Sequence, residues 1–292
     1  MKHKQSITIL SSIIILLAVV ASTSGIFSGG GPGPYQIETV RGETVTVYGK
    51  GLYMHMSQNV APQGVAQDYI TLGIAVPLLL VSLLWARRGS LKGQLLLAGT
   101  LGYFLVTYLF YLVMGMYNVM FLAYVILLGA SFFAFSQTLL SIDINNLRTH
   151  FAESTPVTWA GGFLIFNSIA IALMWLGIVI PPLLDGSIIP VQVEHYTTLI
   201  VQGLDLGLLL PLSFVSGLLL IRRKPLGYLL APVYLVFLSI LMTALTAKVI
   251  AMGILGQNIM PAVVIIPLFT LSAIAFSVII IKYVKEPVYE YA

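Results

Sequence analysis

Very few residues of this 292-residue chain could do chemistry, and most of them stand at the edges of long apolar runs. There is no cysteine, which excludes disulfides, thiol catalysis, cysteine-ligated zinc and iron–sulfur clusters. The four histidines, His3, His55, His150 and His195, fall in no HExxH or similar spacing. No metal centre and no cofactor is therefore expected. The ionisable groups set in apolar surroundings are Asp68, Asp205 and Lys248. Charges inside a membrane are costly and tend to mark function. Asp68 and Asp205 each precede a long apolar stretch, and Asn118 and Asn258 stand in the same position before two others. Together these four could ring a small polar site. Each could equally cap a helix, accepting hydrogen bonds from free backbone N–H groups at a terminus that favours negative charge. Lys248 could pair with Asp205 or extend its ammonium to the headgroup layer. Glu194 and His195 could add an acid/base group ahead of Asp205, although a loop pair of this kind is ordinarily just solvated. The candidate ligand-binding set is thus Asp68, Asn118, His195, Asp205, Lys248 and Asn258, with no catalytic residue assigned. Tyr103, Thr107 and Tyr111 share one helical face, and Asn167, Ser168 and Gln137 are further buried polar positions. Interhelical hydrogen bonding is the plainer use of all six.

The elements that must position these residues are set by composition. The chain is 59% hydrophobic and 8% charged, against roughly 25% charged in an average soluble domain. A water-facing surface cannot be built from so little charge, so lipid is the solvent. The formal charge of +4 does not point to nucleic acid, because the basic residues lie between apolar segments rather than on one patch. Spans of about 20 apolar residues are expected at 6–27, 69–86, 94–115, 118–141, 160–183, 204–221, 226–252 and 259–282. Alternating these spans puts Lys2, Lys4, Arg87, Arg88, Lys92, Arg148, Arg222, Arg223, Lys224, Lys282 and Lys285 on one side. That side is expected to be cytoplasmic, with both termini. Only Arg41, Lys50 and Lys248 lie toward the other. The basic start and apolar stretch of 1–21 also fit a cleaved signal peptide. The longer apolar run to Phe27, with no clean cleavage site, favours a retained span. The outer segment 28–68 carries Glu43–Tyr48, a β-branched alternation, then Gly49-Lys50-Gly51 and Leu52–Met56. It is read as a β-hairpin capping the outer face.

The chain also resembles itself. Leu72-Gly73 to Pro77-Leu78 and Val81-Ser82 match Leu206-Gly207 to Pro211-Leu212 and Val215-Ser216 at a constant offset of 134. After one inserted residue, Arg87-Arg88 faces Arg222-Arg223, and Gly93–Ala98 resembles Gly227–Ala231. Asn118 and Met120 face Asn258 and Met260, and Ala134–Ser136 faces Ala275–Ser277. Spans one and five share nothing comparable. The expected fold is an all-α integral membrane protein of eight helices, arranged as a four-plus-four parallel repeat with a small extracytoplasmic hairpin cap. Residues 1–141 form the first repeat, 142–159 a cytoplasmic linker and 160–292 the second repeat. Pro77, Pro211, Pro232, Pro261 and Pro267 can bend or open their helices.

Three segments, Arg87–Tyr103, Tyr196–Gly207 and Arg222–Pro232, resemble a family of bacterial and archaeal multi-span membrane proteins without a characterised activity. The resemblance implies a prokaryotic cytoplasmic-membrane location and supplies no activity or site residues. The leading expectation is transport or binding of a small solute or ion at an outward-facing site between the repeats. An enzyme acting on a lipid or quinone at the outer leaflet and a non-catalytic assembly subunit are the alternatives. Expected partners are membrane lipid and a small solute or ion. A second copy of the chain or a partner subunit stays open, and nucleic acid is not expected.

Overall fold

A computed structural model describes residues 2–286, and in it eight helices are long and apolar enough to cross a membrane. They are α1 (Lys4–Phe27), α2 (Ala61–Arg87), α3 (Leu91–Val113), α4 (Phe121–Leu140), α5 (Val157–Asp185), α6 (Ile200–Ile221), α7 (Pro225–Ile254) and α8 (Ala262–Lys282). The chain is a polytopic membrane protein. Two helices begin earlier than hydropathy implies. Pro62 lies in the first turn of α2, where a missing N–H breaks no hydrogen bond. The polar run that follows, including Gln67 and Asp68, is helical and buried. Asp68 therefore sits about two turns inside α2 and caps nothing. Asp205 is likewise inside α6, not at its start.

Both helices widen at a matched point. Thr71–Ala75 and Asp205–Leu209 are π-helical, and Pro77 and Pro211 follow in the first turn of the next α segment. Proline lacks an N–H and crowds the carbonyl four residues back. Those residues are Gly73 and Gly207, and a Cβ on either would meet nothing within 4 Å. Packing does not demand these glycines. The wider π turn instead accommodates the proline that follows it.

The match continues through the next turn. Arg88 (φ −80°, ψ 3°) and Arg222 (φ −75°, ψ 5°) end their helices alike. Gly89 (φ 91°) and Arg223 (φ 53°) follow in the left-handed region. A Cβ on Gly93 would meet Ala86 N at 2.6 Å, and one on Gly227 would meet Leu220 N at 2.4 Å. Each pair is 134 residues apart. The backbone thus pairs Arg88 with Arg222 and has no place for the inserted residue that the residue types suggested.

Helix neighbours form two closed cycles. In one, α1 contacts α2 and α4, and α3 contacts α2 and α4; in the other, α5 contacts α6 and α8, and α7 contacts α6 and α8. The cycles meet where α3 packs on α7 and α7 on α2. These two central helices, α3 and α7, bury far more of their surface than the other six. In the second cycle Ser168 Oγ donates to Leu210 O at 2.7 Å and Ser213 Oγ to Leu164 O at 3.0 Å. Asn167 Oδ1 and Gln137 Oε1 are buried without a partner.

The α1–α2 connection forms a hairpin, and the expected strand is bonded on both sides. Downstream, Tyr48 N donates to Met56 O at 2.8 Å and Val47 bridges Ser57 antiparallel, while a further strand pairs with it from upstream. Strand β1 (Tyr35–Glu38) pairs antiparallel with β2 (Thr44–Val47), with Tyr35 opposite Val47. Thr39 Oγ1 accepts from the N–H groups of Arg41 and Glu43, and Gly42 takes φ 80°, so the turn lies upstream of β2. Downstream, Gly49 and Gly51 take positive φ and fold the chain into a short 3-10 turn, Gly51–Tyr53. At the opposite, basic end, the connection read as a linker is ordered. It carries a short helix, Ile144–Leu147, and Phe151 pairs with Val284. Glu286 accepts from Ser90 Oγ at 2.5 Å and from Leu91 N at 2.7 Å, at the start of α3.

Candidate functional site

Asp68 is 2% exposed and is held at both oxygens. Tyr53 donates to Oδ2 at 2.5 Å and Tyr111 to Oδ1 at 3.1 Å. The carboxyl lies against α1 at Gly25, where a Cβ would meet Oδ2 at 1.8 Å. Only a glycine admits the carboxyl at that point. Four elements thus converge on one carboxylate: the hairpin segment through Tyr53, α1 through Gly25, α2 itself and α3 through Tyr111. Burial pushes the Tyr53 phenol well above its usual range, and the adjacent negative charge of Asp68 adds to this. Tyr108, Tyr111 and Tyr124 pack ring to ring beside it, with centroids 5.3–5.9 Å apart. One turn along, Gln67 Nε2 donates to Tyr103 OH at 2.7 Å, and Thr71 Oγ1 lies 2.8 Å from the same hydroxyl.

Asp205 is half-buried and accepts from Trp175 Nε1 at 2.8 Å, a residue of α5. Lys248 lies on α7 and feels the charge of both carboxylates, that of Asp205 more strongly. Of the two alternatives for Lys248, the direct pair with Asp205 is not made. Among the described residues, no ion pair within 4.0 Å and no hydrogen bond holds the ammonium. Asp205 and Asp68 are also not matched residues. At the offset of 134, Asp205 corresponds to Thr71, and both open their π turns.

The remaining candidates separate. Asn118 Oδ1 accepts from Met120 N at 2.9 Å and Asn258 Oδ1 from Met260 N at 3.1 Å, each just before a helix. Each closes a turn ahead of its helix and neither is a cap, since Met120 and Pro261 hold the cap positions, without a side-chain hydrogen bond to the first helical N–H groups. Asn118 also lies near Tyr124 and so borders the Asp68 cluster. His195 is tied into the hairpin, its Nε2 3.0 Å from His55 O and its ring stacked on Tyr196. Arg41 donates to the carbonyls of Glu194 and Tyr196, Asn59 donates to Glu194 Oε1 at 2.6 Å, and Ser57 N donates to Tyr196 OH at 3.1 Å. The α5–α6 loop is therefore a clamp on the hairpin. Burial pushes the Tyr196 phenol up. Among the described residues, no hydrogen bond joins Glu194 or His195 to Asp205.

Sequence reasoning missed Tyr53, Gly25, Ser22, Tyr124 and Trp175. Tyr111 was marked by its helical stripe with Tyr103 and Thr107. The others carry no comparable signal, because a small or aromatic residue in an apolar run reads as packing. Compared with known proteins, the chain matches no family model, and no curated protein or solved structure is significantly similar. What fold and site define is a class: a polytopic helical membrane protein with a tyrosine-caged carboxylate and, in its field, a lysine that pairs with none of the described residues.

Proposed function

We propose that this protein binds a small solute or ion, and carries it across the membrane, at a site between two four-helix repeats. Lys248 carries the reading. It is a charged side chain in an apolar span, at the seam of the two helix cycles, in the field of one carboxylate from each and bonded to neither. Keeping such a charge without a fixed partner is unfavourable. Exchange of partners as a ligand comes and goes gives a reason to keep it. The repeat is supported by the paired π turns, the paired glycine contacts and the identical cycle of neighbours. Four spans per half give both halves one orientation, the parallel form of transporter repeat. The eleven basic residues gathered at one end favour that end as cytoplasmic, with the hairpin cap outside. A prokaryotic membrane location rests on the family resemblance. The outer-leaflet enzyme has thinner support, since His195 is engaged in the clamp and not beside Asp205 or Lys248.

Proteoliposomes holding the purified protein should take up at least one of radiolabelled sodium, amino acids, amines or sugars above protein-free vesicles. Lys248→Met and Asp205→Asn should each lower that uptake at least about tenfold, the equivalent of losing one modest interaction. Uptake of none of these by folded protein would count against transport.

A further inference from the structure

The cluster around Asp68 holds two buried hydroxyls that no hydrogen bond among the described residues satisfies. Ser22 Oγ, one turn before Gly25 on the α1 face that meets Asp68, is fully buried and makes no hydrogen bond within 3.5 Å. Tyr124, on α4, packs its ring on Tyr108 and Tyr111, and its buried OH likewise makes no hydrogen bond within 3.5 Å. A buried polar group left unsatisfied costs about 1–3 kcal/mol, so two around one carboxylate call for an occupant. Tyr53 and Tyr111 each donate their proton to Asp68, which leaves their own lone pairs free. The pocket therefore presents one carboxylate and four hydroxyl oxygens, drawn from α1, the hairpin segment, α2, α3 and α4. This is a hard, all-oxygen donor set, the kind that suits alkali and alkaline-earth ions rather than zinc or copper. It includes no histidine or cysteine and one acid, and among the described residues no three histidine, cysteine or acidic side chains gather.

Charge selects among hard cations. Asp68, Asp205 and Lys248 are the ionisable groups of this region, and when ionised they leave one uncompensated negative charge. In an apolar surrounding a net charge is strongly disfavoured. One monovalent cation restores neutrality, whereas a divalent ion leaves an excess of the opposite sign. Lys248 does not already fill the role, because it makes no ion pair with Asp68. We propose that the Asp68 pocket binds a monovalent alkali cation through the Asp68 carboxylate and the hydroxyl oxygens of Ser22, Tyr53, Tyr111 and Tyr124. This goes beyond the transport reading and does not depend on it.

The test is thermal unfolding of the purified protein in detergent, at equal ionic strength in sodium chloride, potassium chloride or N-methyl-D-glucamine chloride. Sodium or potassium should raise the midpoint in a saturable manner, and Asp68→Asn should abolish the effect. Because Asp68→Asn also disturbs two hydrogen bonds, Tyr124→Phe and Ser22→Ala are the sharper variants. Each removes a hydroxyl oxygen that makes no hydrogen bond within 3.5 Å. In N-methyl-D-glucamine chloride both variants should match or exceed the parent midpoint. In sodium or potassium, the apparent cation affinity of each should fall about tenfold, as for loss of one modest interaction. Equal midpoints of the parent protein in the three salts would overturn the proposal. So would alkali stabilisation that both hydroxyl variants retain in full. A midpoint that follows pH but not alkali ions would make the occupant a proton and also overturn it. Alkali stabilisation without uptake in proteoliposomes would leave the cation site standing and remove transport.

Discussion

At the scale of single residues, Gly25 and Asp68 constrain each other. A methyl group at Gly25 would lie 1.8 Å from Asp68 Oδ2 and 2.9 Å from Tyr53 OH. Asp68 cannot easily retreat, because both its oxygens are held by tyrosine hydroxyls. Gly25→Ala should therefore cost about 1–3 kcal/mol, the usual penalty of overpacking, read as a lowered thermal midpoint. In an Asp68→Ala background the space is vacated and most of that penalty should disappear. A penalty of equal size in both backgrounds would mean that this contact is not its cause. The two buried phenols of the hairpin end set a pH limit. Tyr53 and Tyr196 have folded-state values above their ordinary one because burial disfavours the phenolate. The folded state then holds protons that the unfolded chain gives up. The associated stability is complete below about pH 10 and is lost as pH rises through the folded values. Protease accessibility of the hairpin segment should thus rise above about pH 10. Tyr196→Phe should blunt that rise while loosening the clamp at all pH values, since Ser57 N–H loses its acceptor.

At the scale of elements, the matched turns after α2 and α6 differ in one telling place. The left-handed position is Gly89 in the first and Arg223 in the second. A side chain in that conformation costs roughly 1–2 kcal/mol, which glycine avoids at some loss of backbone entropy on folding. Arg223→Gly should accordingly raise stability by about 1 kcal/mol, and Gly89→Arg should lower it by a similar amount. A lowered midpoint for Arg223→Gly would mean that the arginine is held there by a contact worth more than the strain. Helix α1 also takes on a defined role. Its Gly25 and Ser22 line the Asp68 pocket, so the cation proposal requires α1 in the mature protein. Intact-mass measurement of the membrane-extracted chain should return a species that retains residues 4–27, and loss of that segment would leave the pocket without one wall.

At the scale of the whole molecule, hydropathy makes all eight helices legible, because lipid demands long apolar runs. It does not reveal the polar wall of the site. The run from Pro62 to Asp68 reads as loop on composition, yet Gln67 and Asp68 meet tyrosines of α3 and of the hairpin segment. The offset of 134 was visible in residue types, but only the backbone shows that it persists through Arg88 and Arg222 without a break. The hairpin is legible in the β-branched alternation of Glu43–Tyr48 and its return to Met56, whereas the upstream strand Tyr35–Glu38 is not, because turn geometry around Thr39 and Gly42 leaves little trace in hydropathy. How the two cycles are joined was not legible at all, since lipid-facing and protein-facing apolar residues look alike. The structure puts that junction at α3 against α7, and two glycines one turn apart on α3 test it. A Cβ at Gly99 would meet Val236 Cβ at 2.4 Å and Val233 O at 2.7 Å, both on α7. A Cβ at Gly102 would find its nearest neighbour, a ring carbon of Phe135, at 3.5 Å. Gly99→Ala should cost about 1–3 kcal/mol, because the opposing group includes backbone that cannot swing away. Gly102→Ala should be neutral or stabilising by up to about 1 kcal/mol, since alanine is the better helix former and fits the space. Thermal midpoints of the two variants measured side by side decide the matter. If both fall alike, the halves are not held by close approach of α3 to α7, and the seam that carries Lys248 must be placed elsewhere.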